Sequence, residues 1–554
     1  MKVLNISNSL KLGPYKNDEP IYVFLQYYVD PVRARHREIE SCLKLNSENP
    51  VIDKVILLNE RMYKHKDLGG LNSTKVQQIN ISKRLMYSDV FHYVNENKLK
   101  GYIIIANSDI FFDETLEKIK YSTLHTDRQM MALLRYEYDP TNKYNSKLFG
   151  PRYDSQDTWI FHTNHFIEPR EEKLFAFNLG KPGCDNKLVY LMNVLNIEVV
   201  NDPATIKTYH YHKSNIRNYT AKEVLPLPWA VVVPANTQTS QIQDALGLRL
   251  ATYEQIRFSD NTLLYDYVSA KLAKNEKFVI PRISTIETEF ACYGRILKFS
   301  TDEKKNTLML QMLQGRPNQV MKNNAGIKIT NQGTLMTYSD KYLAAFENCD
   351  IYGGWDKQGH VYPSVKAGQD FIEESVCPTK PLFWGFAFDV FHYIKSVPWT
   401  WALRGKRILL ICAFEDSIKE KIPIREKIYG IDLFPECSFI TLKPPQTQGN
   451  EIAQDFDVEF NNFVQRVDTL NGQYDIALVA CGGYGAPIVN YIYEKGTPAV
   501  YVGGVLQMYF GILGSRWLRE RPDIVRLYLN EHWSRPKENE KPSNYAYVEG
   551  SCYW

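Results

Sequence analysis

The feature that most constrains the fold is a short apolar run that ends abruptly in polar residues. Residues 103–105 are three consecutive isoleucines, which predict a strand buried on both faces of a sheet. Asn107 and Asp109 follow directly. In an extended segment, side chains two residues apart project to the same side, so these two would present oxygen ligands together. Such a pair suits a divalent cation carrying a diphosphate. The alternative is an Asx-type turn that closes the strand.

Strands and helical stretches alternate along the first half of the chain. Residues 21–29 and 51–58 are further predicted strands, each followed by polar residues. This alternation predicts an α/β fold with a parallel-type sheet. In open α/β sheets, ligands collect beyond the carboxyl ends of the strands, where Asn59, Asn107 and Asp109 would lie.

The chain of 554 residues is too long for one ordinary hydrophobic core, so several domains are expected. A segment rich in proline and then in polar residues, 226–241, is typical of a domain boundary. We therefore expect a first domain over residues 1–225, a linker over 226–245 and a second domain over 246–554.

Further polar residues lie next to predicted strands and helices in the first half of the chain. Asp157 precedes an apolar strand, and Asp185 opens a helix after a Gly/Pro turn. Asp185 is interpreted either as a helix N-cap or as a catalytic base at the helix start. His210 and His212 would share one face of a strand, where packing or surface histidines are the alternative to ligands.

The order of these elements resembles the GT-A glycosyltransferases, in which a D-x-D motif follows a core strand. Here the triplet is Asn107-Ser108-Asp109, with Asn in place of the first Asp. The resemblance covers roughly the first 220 residues. It implies a mixed, Rossmann-like sheet, an Mn²⁺ or Mg²⁺ ion, a UDP- or GDP-linked sugar donor and a glycan acceptor. The residues that it implicates are Asn107, Asp109 and His212 for the metal, with His210 in reserve, and Asp185 and Asp157 at the acceptor.

The second half contains a buried strand that passes through a glycine-rich turn into a helix. This turn is Gly482-Gly483-Tyr484-Gly485, and Gly503-Gly504 end the next strand, shortly before Gln507. Glycines let the backbone approach a phosphate, and a helix N-terminus supplies N–H donors. The alternative is that the glycines permit tight packing of strand against helix. Upstream, Arg282 and Glu287 lie at a strand–helix join, where a plain ion pair is the alternative to a functional role.

Two blocks of this half resemble the GT-D glycosyltransferases: D-I-A-L-x-x-C-G-x-Y-G at 475–485 and G-G-x-x-Q-x-x-F-G-x-x-G-x-R-W at 503–517. The resemblance implies a second Rossmann-like domain that binds a nucleotide-sugar donor. The implied donor contacts are Arg282, Gly482, Gly483, Tyr484, Gly485, Gly503, Gly504 and Gln507, with Glu287 catalytic. In that family an early D-x-E motif binds a metal, but Thr285 stands in place of the Asp. This half therefore binds metal differently, works without metal, or is inactive.

These patterns lead to two main hypotheses and a third. The first is a bifunctional hexosyl- or pentosyltransferase with one donor site in each half. The second is one catalytic half joined to a non-catalytic glycan-binding or scaffolding half. The third is a nucleotide-binding protein of other purpose, such as a sugar-nucleotide-processing enzyme.

The composition and the net charge indicate which cellular compartment and which classes of binding partner to expect. A formal charge of +3 argues against broad nucleic-acid binding. No apolar run approaches the roughly 18 residues of a membrane span. Nine scattered cysteines, without a C-x-x-C pair, are typical of reduced thiols. We expect a cytoplasmic protein, in a bacterium or in a host cell if the source is viral, and leave homo-oligomer formation open.

Overall fold

The computed structural model describes residues 2–150, 152–214, 223–226, 228–238, 254–255, 257, 259–357, 359–389 and 397–554. The chain divides into two compact units, Met1–Ile256 and Arg257–Trp554. Helices and strands alternate in both, which confirms the predicted α/β class. The first unit extends past the predicted boundary, because a strand at Trp229–Val233 lies inside the segment expected to be a linker.

The first unit is built on a seven-stranded mixed sheet. The strands of this unit, in chain order, are β1 (Lys2–Ile6), β2 (Ile21–Leu25), β3 (Lys54–Asn59), β4 (Val76–Asn80), β5 (Tyr102–Ala106), β6 (Ile110–Phe112), β7 (Gln129–Leu133), β8 (Tyr136–Glu137), β9 (Lys147–Leu148), β10 (Thr158–His162), β11 (Glu198–Val200), β12 (Thr208–His210), β13 (Trp229–Val233) and β14 (Glu254–Gln255). The main sheet has the order β11-β7-β10-β5-β2-β3-β4. Strand β10 runs antiparallel to both of its neighbours, and the other pairs are parallel.

Strand β5 lies at the centre of this sheet, and its isoleucines are fully buried, as predicted. The unit's helices are α1 (Arg33–Glu48), α2 (Tyr87–Glu96) and α3 (Cys184–Val194). Helix α3 starts after Gly183, whose φ of 80° is a left-handed conformation that glycine adopts without strain. The next strand after β5 belongs to a second sheet of four strands, in the order β6-β12-β8-β9. In a third sheet, β1 pairs in parallel with β13 and β14.

The second unit contains a five-stranded, fully parallel sheet. Its strands are β15 (Val279–Ile280), β16 (Tyr352–Gly354), β17 (Leu382–Trp384), β18 (Arg407–Cys412), β19 (Ser438–Leu442), β20 (Ile476–Ala480) and β21 (Ala499–Tyr501). The large sheet has the order β15-β21-β20-β18-β19, and β16 pairs with β17. Parallel sheets of this kind are covered on both faces, which agrees with the apolar sequence of β20.

The helices of the second unit are α4 (Ser259–Ala273), α5 (Ile286–Phe299), α6 (Glu303–Gln314), α7 (Arg316–Val320), α8 (Gln332–Asn348), α9 (Tyr362–Phe371), α10 (Glu415–Lys421), α11 (Arg425–Tyr429), α12 (Phe456–Asp468), α13 (Gly485–Glu494), α14 (Leu506–Tyr509), α15 (Ser515–Glu520) and α16 (Pro522–Tyr528). In the part of the chain that the structure describes, no helix combines the length and the apolar character needed to cross a membrane.

Candidate functional site

The polar triplet after β5 forms a turn and is not extended. The backbone N–H of Ile110 donates to the carbonyl oxygen of Asn107 at 3.1 Å, which closes the turn. The segment from Asn107 to Asp109 is therefore not extended, and the prediction of an extended pair with both side chains on one side is wrong. The amide of Asn107 donates to Asp157 Oδ1 at 2.7 Å, whereas the carboxylate of Asp109 contacts Arg35 and His210.

Asp109 nevertheless lies beside both histidines of the H-x-H pair. Potential ligand atoms of Asp109, His210 and His212 all lie within 4.8 Å of one another. Pairing of β6 with β12 explains this proximity, because His210 stands opposite Ile110, the residue after Asp109. The N–H of Tyr211 also donates to the carbonyl oxygen of Asp109 at 2.9 Å. Two segments about a hundred residues apart are thus held together by backbone hydrogen bonds.

The chemistry of this cluster fits a divalent metal ion. Two imidazoles and one carboxylate are ligands that first-row transition metals accept. The Nε2 atom of His212 is buried and has no hydrogen-bond partner in the protein, which is costly unless something binds it. The His212 nitrogen that faces Asp109 is Nδ1, which lies 3.5 Å from Asp109 Oδ2, so an ion shared by the three residues would lie on that side of the ring.

Arg35 and Glu38, on helix α1, supply charge around the cluster. Arg35 Nη2 lies 2.6 Å from Asp109 Oδ2, and Arg35 Nη1 lies 3.1 Å from Glu38 Oε2. Burial alone would raise the pKa of Asp109, but His210 and Arg35 outweigh burial and hold this pKa well below its ordinary value. Asp109 is therefore ionised and already neutralised by an arginine, which an incoming cation would have to displace.

Glu38 also fixes the chain that follows His212. Its Oε1 atom accepts hydrogen bonds from the N–H groups of Lys213 and Ser214, both at 2.8 Å. Its Oε2 atom accepts one from the hydroxyl of Ser214 at 2.8 Å. The carboxylate of Glu38 thus connects helix α1 to the histidine segment and limits the movement of His212.

A second chain of contacts leads from His210 towards the predicted acceptor residues. His210 Nδ1 lies 3.1 Å from Glu137 Oε2, and Arg135 Nε donates to Glu137 Oε1 at 2.9 Å. Arg135 also forms a close ion pair with Asp157. Burial lowers the pKa of His210, but its contacts with Asp109 and Glu137 outweigh this and raise the pKa to about 9.

Asp185 is the second helical residue of α3, since Gly183 occupies the N-cap position. The interpretation of Asp185 as an N-cap is therefore wrong. Its Oδ2 atom accepts a hydrogen bond from the N–H of Gln156 at 3.2 Å, which places it next to Asp157. Burial raises the pKa of Asp185 to about 7. A carboxylate with that pKa can accept a proton near neutral pH.

Arg35, Glu38, Arg135 and Glu137 belong to this network but were not predicted as site residues. The sequence held a signal for the last two, because they alternate at the polar end of an apolar strand. No pattern singles out Arg35 and Glu38 among the charged residues of helix α1, since their role depends on where the helix packs.

The second unit has its own candidate site, a cavity of about 450 Å³. It lies at the carboxyl ends of four parallel strands and is lined by residues 282–285 after β15, 412–414 at β18, 480–482 at β20 and 503–505 after β21. Ligands of parallel α/β sheets bind in this position. The predicted site residues that line it are Arg282, Glu287, Gly482, Gly503, Gly504 and Gln507.

The glycine-rich turn before helix α13 differs from the predicted phosphate cradle. A Cβ atom on Gly483 would lie 2.3 Å from Ile327 Cγ1, and one on Gly485 would lie 2.2 Å from Tyr501 Cε2. Tyr484 is fully buried, and its hydroxyl donates to the carbonyl oxygen of Gly326 at 3.3 Å. These three residues are outside the cavity lining, so close packing explains their identity. Gly482 does line the cavity.

Arg282 and Glu287 do not pair with each other. Arg282 Nη1 donates to the carbonyl oxygen of Val502 at 2.8 Å, and the guanidinium lies 4.8 Å from the ring centre of Trp355. Glu287 is buried at the start of helix α5, and burial raises its pKa to about 7. The plain ion-pair interpretation of these two residues is therefore wrong.

No protein-family model and no curated protein matches the chain. Among solved structures, a mannosyltransferase from Pyrobaculum calidifontis in complex with GDP-Man and Mn²⁺ matches at 11% identity and a TM-score of 0.27, over 37% of this chain and 61% of its own. GalNAc-T7 with UDP, GalNAc and Mn²⁺ matches at 11% identity and 0.24, over 35% of this chain and 44% of its own.

A third match is the 4-diphosphocytidyl-2C-methyl-D-erythritol synthase from Anaerococcus prevotii, at 12% identity and a TM-score of 0.23. It covers 37% of this chain and 92% of the synthase. This chain thus matches less than two thirds of the mannosyltransferase and of GalNAc-T7. At these scores the likeness carries no inference about fold or activity.

Proposed function

We propose that the first unit is a metal-dependent glycosyltransferase that transfers a sugar from a UDP- or GDP-linked donor to a glycan. The observation that carries this proposal is the convergence of Asp109, His210 and His212, whose potential ligand atoms lie within 4.8 Å of one another. The cluster lies just beyond a central strand, where α/β folds bind ligands. The resemblance of the sequence to GT-A glycosyltransferases supplies the reaction class.

The residues of this unit have distinct roles in the proposal. Asp109, His210 and His212 hold the cation, and two imidazole ligands favour Mn²⁺ over Mg²⁺, which prefers oxygen. Such a cation neutralises the charge that develops on a departing diphosphate. Asp185 accepts the proton of the acceptor hydroxyl. Asn107, fixed by its hydrogen bond to Asp157, contacts the donor side or the cation.

Asp157 is the proposed second acceptor contact. Its carboxylate accepts a hydrogen bond from Asn107 and forms an ion pair with Arg135. These two contacts fix the carboxylate of Asp157 in place. A carboxylate held in this way can accept a hydrogen bond from a sugar hydroxyl without a large loss of conformational entropy. It would position the acceptor beside Asp185.

The second unit is proposed to bind its own nucleotide-sugar donor, which would make the chain bifunctional. The cavity at the ends of four strands and the resemblance to GT-D glycosyltransferases support this role. The alternative is a non-catalytic glycan-binding half, which the replacement by Thr285 favours. Glu287, buried and with a pKa near 7, is the proposed catalytic carboxylate of this unit.

The test uses the full-length chain and measures nucleotide release from a panel of UDP- and GDP-linked sugars, with Mn²⁺ or with EDTA. Asp109→Ala should abolish the Mn²⁺-dependent activity and leave any Mn²⁺-independent activity intact. Glu114→Gln is the matched control, because its side chain is 74% exposed and lies close in sequence. Full turnover by Asp109→Ala would show that the metal assignment is wrong.

A further inference from the structure

The cavity of the second unit contains an arginine, Arg282, that forms no ion pair with any of the described residues. Of the arginines that line it, Arg516 pairs with Glu549 at 2.7 Å and Arg521 pairs with Asp389 at 3.6 Å. Among the described residues, Arg282 has no ion-pair partner, and its guanidinium donates a hydrogen bond to a neutral group, the carbonyl oxygen of Val502. Arg282 is half-buried, and the nearest carboxylate that influences it, Asp389, already pairs with Arg521, so the arrangement favours an anion in the cavity.

Two glutamines that line the same cavity each carry an unpartnered polar atom. The Oε1 atom of Gln507 and the Nε2 atom of Gln446 are both buried and lack a hydrogen-bond partner in the protein. Gln507 is fully buried, and its Nε2 atom is already used by the carbonyl oxygens of Ile512 and Tyr553. Native proteins rarely leave such atoms unsatisfied, so both side chains have spare hydrogen-bonding capacity at the cavity wall.

The carboxylates of the cavity are poorly arranged to hold a metal ion. Thr285 stands where a metal-binding Asp was expected, and its neighbour Glu287 is buried with a pKa raised to about 7. The other carboxylates of the lining, Asp389, Glu520 and Glu549, are paired with arginines. Within the described ranges, the one group of three or more clustered metal-ligating side chains is in the first unit.

The last residues of the chain complete the cavity wall. Glu549, Tyr553 and Trp554 line it. The segment is held in place because the carbonyl oxygen of Tyr553 accepts from Gln507 at 3.2 Å and that of Trp554 accepts from the N–H of Ser515 at 3.3 Å. These contacts give the terminal segment a place in the site.

We propose that this cavity binds a phosphate-bearing ligand through Arg282, with no metal ion as intermediary and with the terminal residues 548–554 as one wall. Arginine is suited to this role because its planar guanidinium can donate two parallel hydrogen bonds to one phosphate group. A volume of about 450 Å³ exceeds what one phosphate needs and lies in the range of nucleotide-sized ligands. The aromatic rings of Trp355 and Tyr553, which pack against Arg282 and Arg516, add apolar surface to the wall. The proposal rests on the donor-binding role proposed for the second unit and adds that the site is independent of metal.

The test is isothermal titration of the full-length chain in EDTA with inorganic pyrophosphate, UDP and uridine. The wild-type chain should bind pyrophosphate and UDP but not uridine. Arg282→Gln should weaken pyrophosphate binding by about tenfold to a hundredfold, the worth of a hydrogen bond to a charged group. Arg404→Gln is the matched control, since this arginine is 62% exposed and pairs with Glu436, and it should bind as the wild type does.

A second variant keeps the test decisive if Arg282→Gln fails to fold. Gln446→Leu removes the unpartnered Nε2 donor at similar size, and it should weaken pyrophosphate binding by about fivefold. Binding that needs Mn²⁺, or binding unchanged in both variants, would overturn the proposal. Equal affinity for pyrophosphate and UDP would support the anion site but contradict a nucleotide-sugar role for the second unit, so the two failures can be told apart.

Discussion

Replacing Asp185 by Asn should make the protein less active but more stable at alkaline pH. Asn has nearly the same shape and can still accept the hydrogen bond from Gln156. It cannot, however, take a proton from an acceptor hydroxyl. A purely structural acidic residue in the first turn of a helix would behave in the opposite way, because its loss weakens the interaction with the helix dipole.

The size of the stability gain follows from the pKa of Asp185. Burial raises this pKa from 3.8 to about 7, a shift of about three units at about 1.4 kcal/mol each. Because the folded state holds the proton more tightly than the unfolded state, ionisation destabilises the fold as pH rises from about 4 to about 7. The full cost, at most about 4 kcal/mol, is present above pH 7 and absent in acid. Asp185→Asn should recover it.

The assay combines urea unfolding at pH 5 and pH 8 with nucleotide-sugar turnover. The gain in unfolding free energy should be larger at pH 8, and turnover should fall by about a hundredfold or more, as for the loss of a general base. Wild-type turnover should rise about tenfold between pH 6 and pH 8 if Asp185 acts with a pKa near 7.

Asp18→Asn is the matched control, since Asp18 is 77% exposed and pairs with Lys16, and it should change neither property. A variant Asp185→Asn that is less stable than the wild type at pH 8 and keeps its turnover would refute the reasoning. It would identify Asp185 as a structural residue.

Three further substitutions probe other parts of the molecule. Glu38→Gln should weaken Mn²⁺ binding by about tenfold to a hundredfold. The loss of the Glu38 charge weakens the hold on Ser214 and leaves Arg35 more tightly paired with Asp109, the metal-binding carboxylate. An unchanged Kd for Mn²⁺, measured by electron paramagnetic resonance, would contradict this. Gly485→Ala should cost about 1–3 kcal/mol in urea unfolding because its Cβ would lie 2.2 Å from Tyr501 Cε2, and a neutral result would argue for space at the turn. Glu540→Gln should cost a similar amount, since this buried carboxylate accepts hydrogen bonds from backbone N–H groups, and unchanged stability would show that the charge is unimportant there.

The strands of the first unit were predictable because their apolar runs are strong local signals. The buried strand β5, its polar end and the late histidines could all be identified by pattern. The conformation between them could not, since whether Asn107 to Asp109 is extended or turned depends on the partner strand β12. The role of Arg35 could not be predicted from the sequence either, because it arises from the contact of helix α1 with Asp109, 74 residues away in the chain.

In the second unit, the glycine-rich pattern has two possible physical explanations. Glycines before helix α13 are equally compatible with a phosphate and with a close side chain. Here Ile327 and Tyr501 fill the space beside Gly483 and Gly485. The cavity lies elsewhere around the same strand ends, and its wall includes terminal residues with no motif to identify them.

The most direct test of the account is an Mn²⁺ titration of the full-length chain by electron paramagnetic resonance. The wild-type chain should bind one Mn²⁺ ion, because the second unit is proposed to work without metal. His212→Ala should weaken that binding by at least about a hundredfold, more than the loss of a residue that merely supports a ligand. No Mn²⁺ binding by the wild-type chain, or equal binding by His212→Ala, would contradict the account.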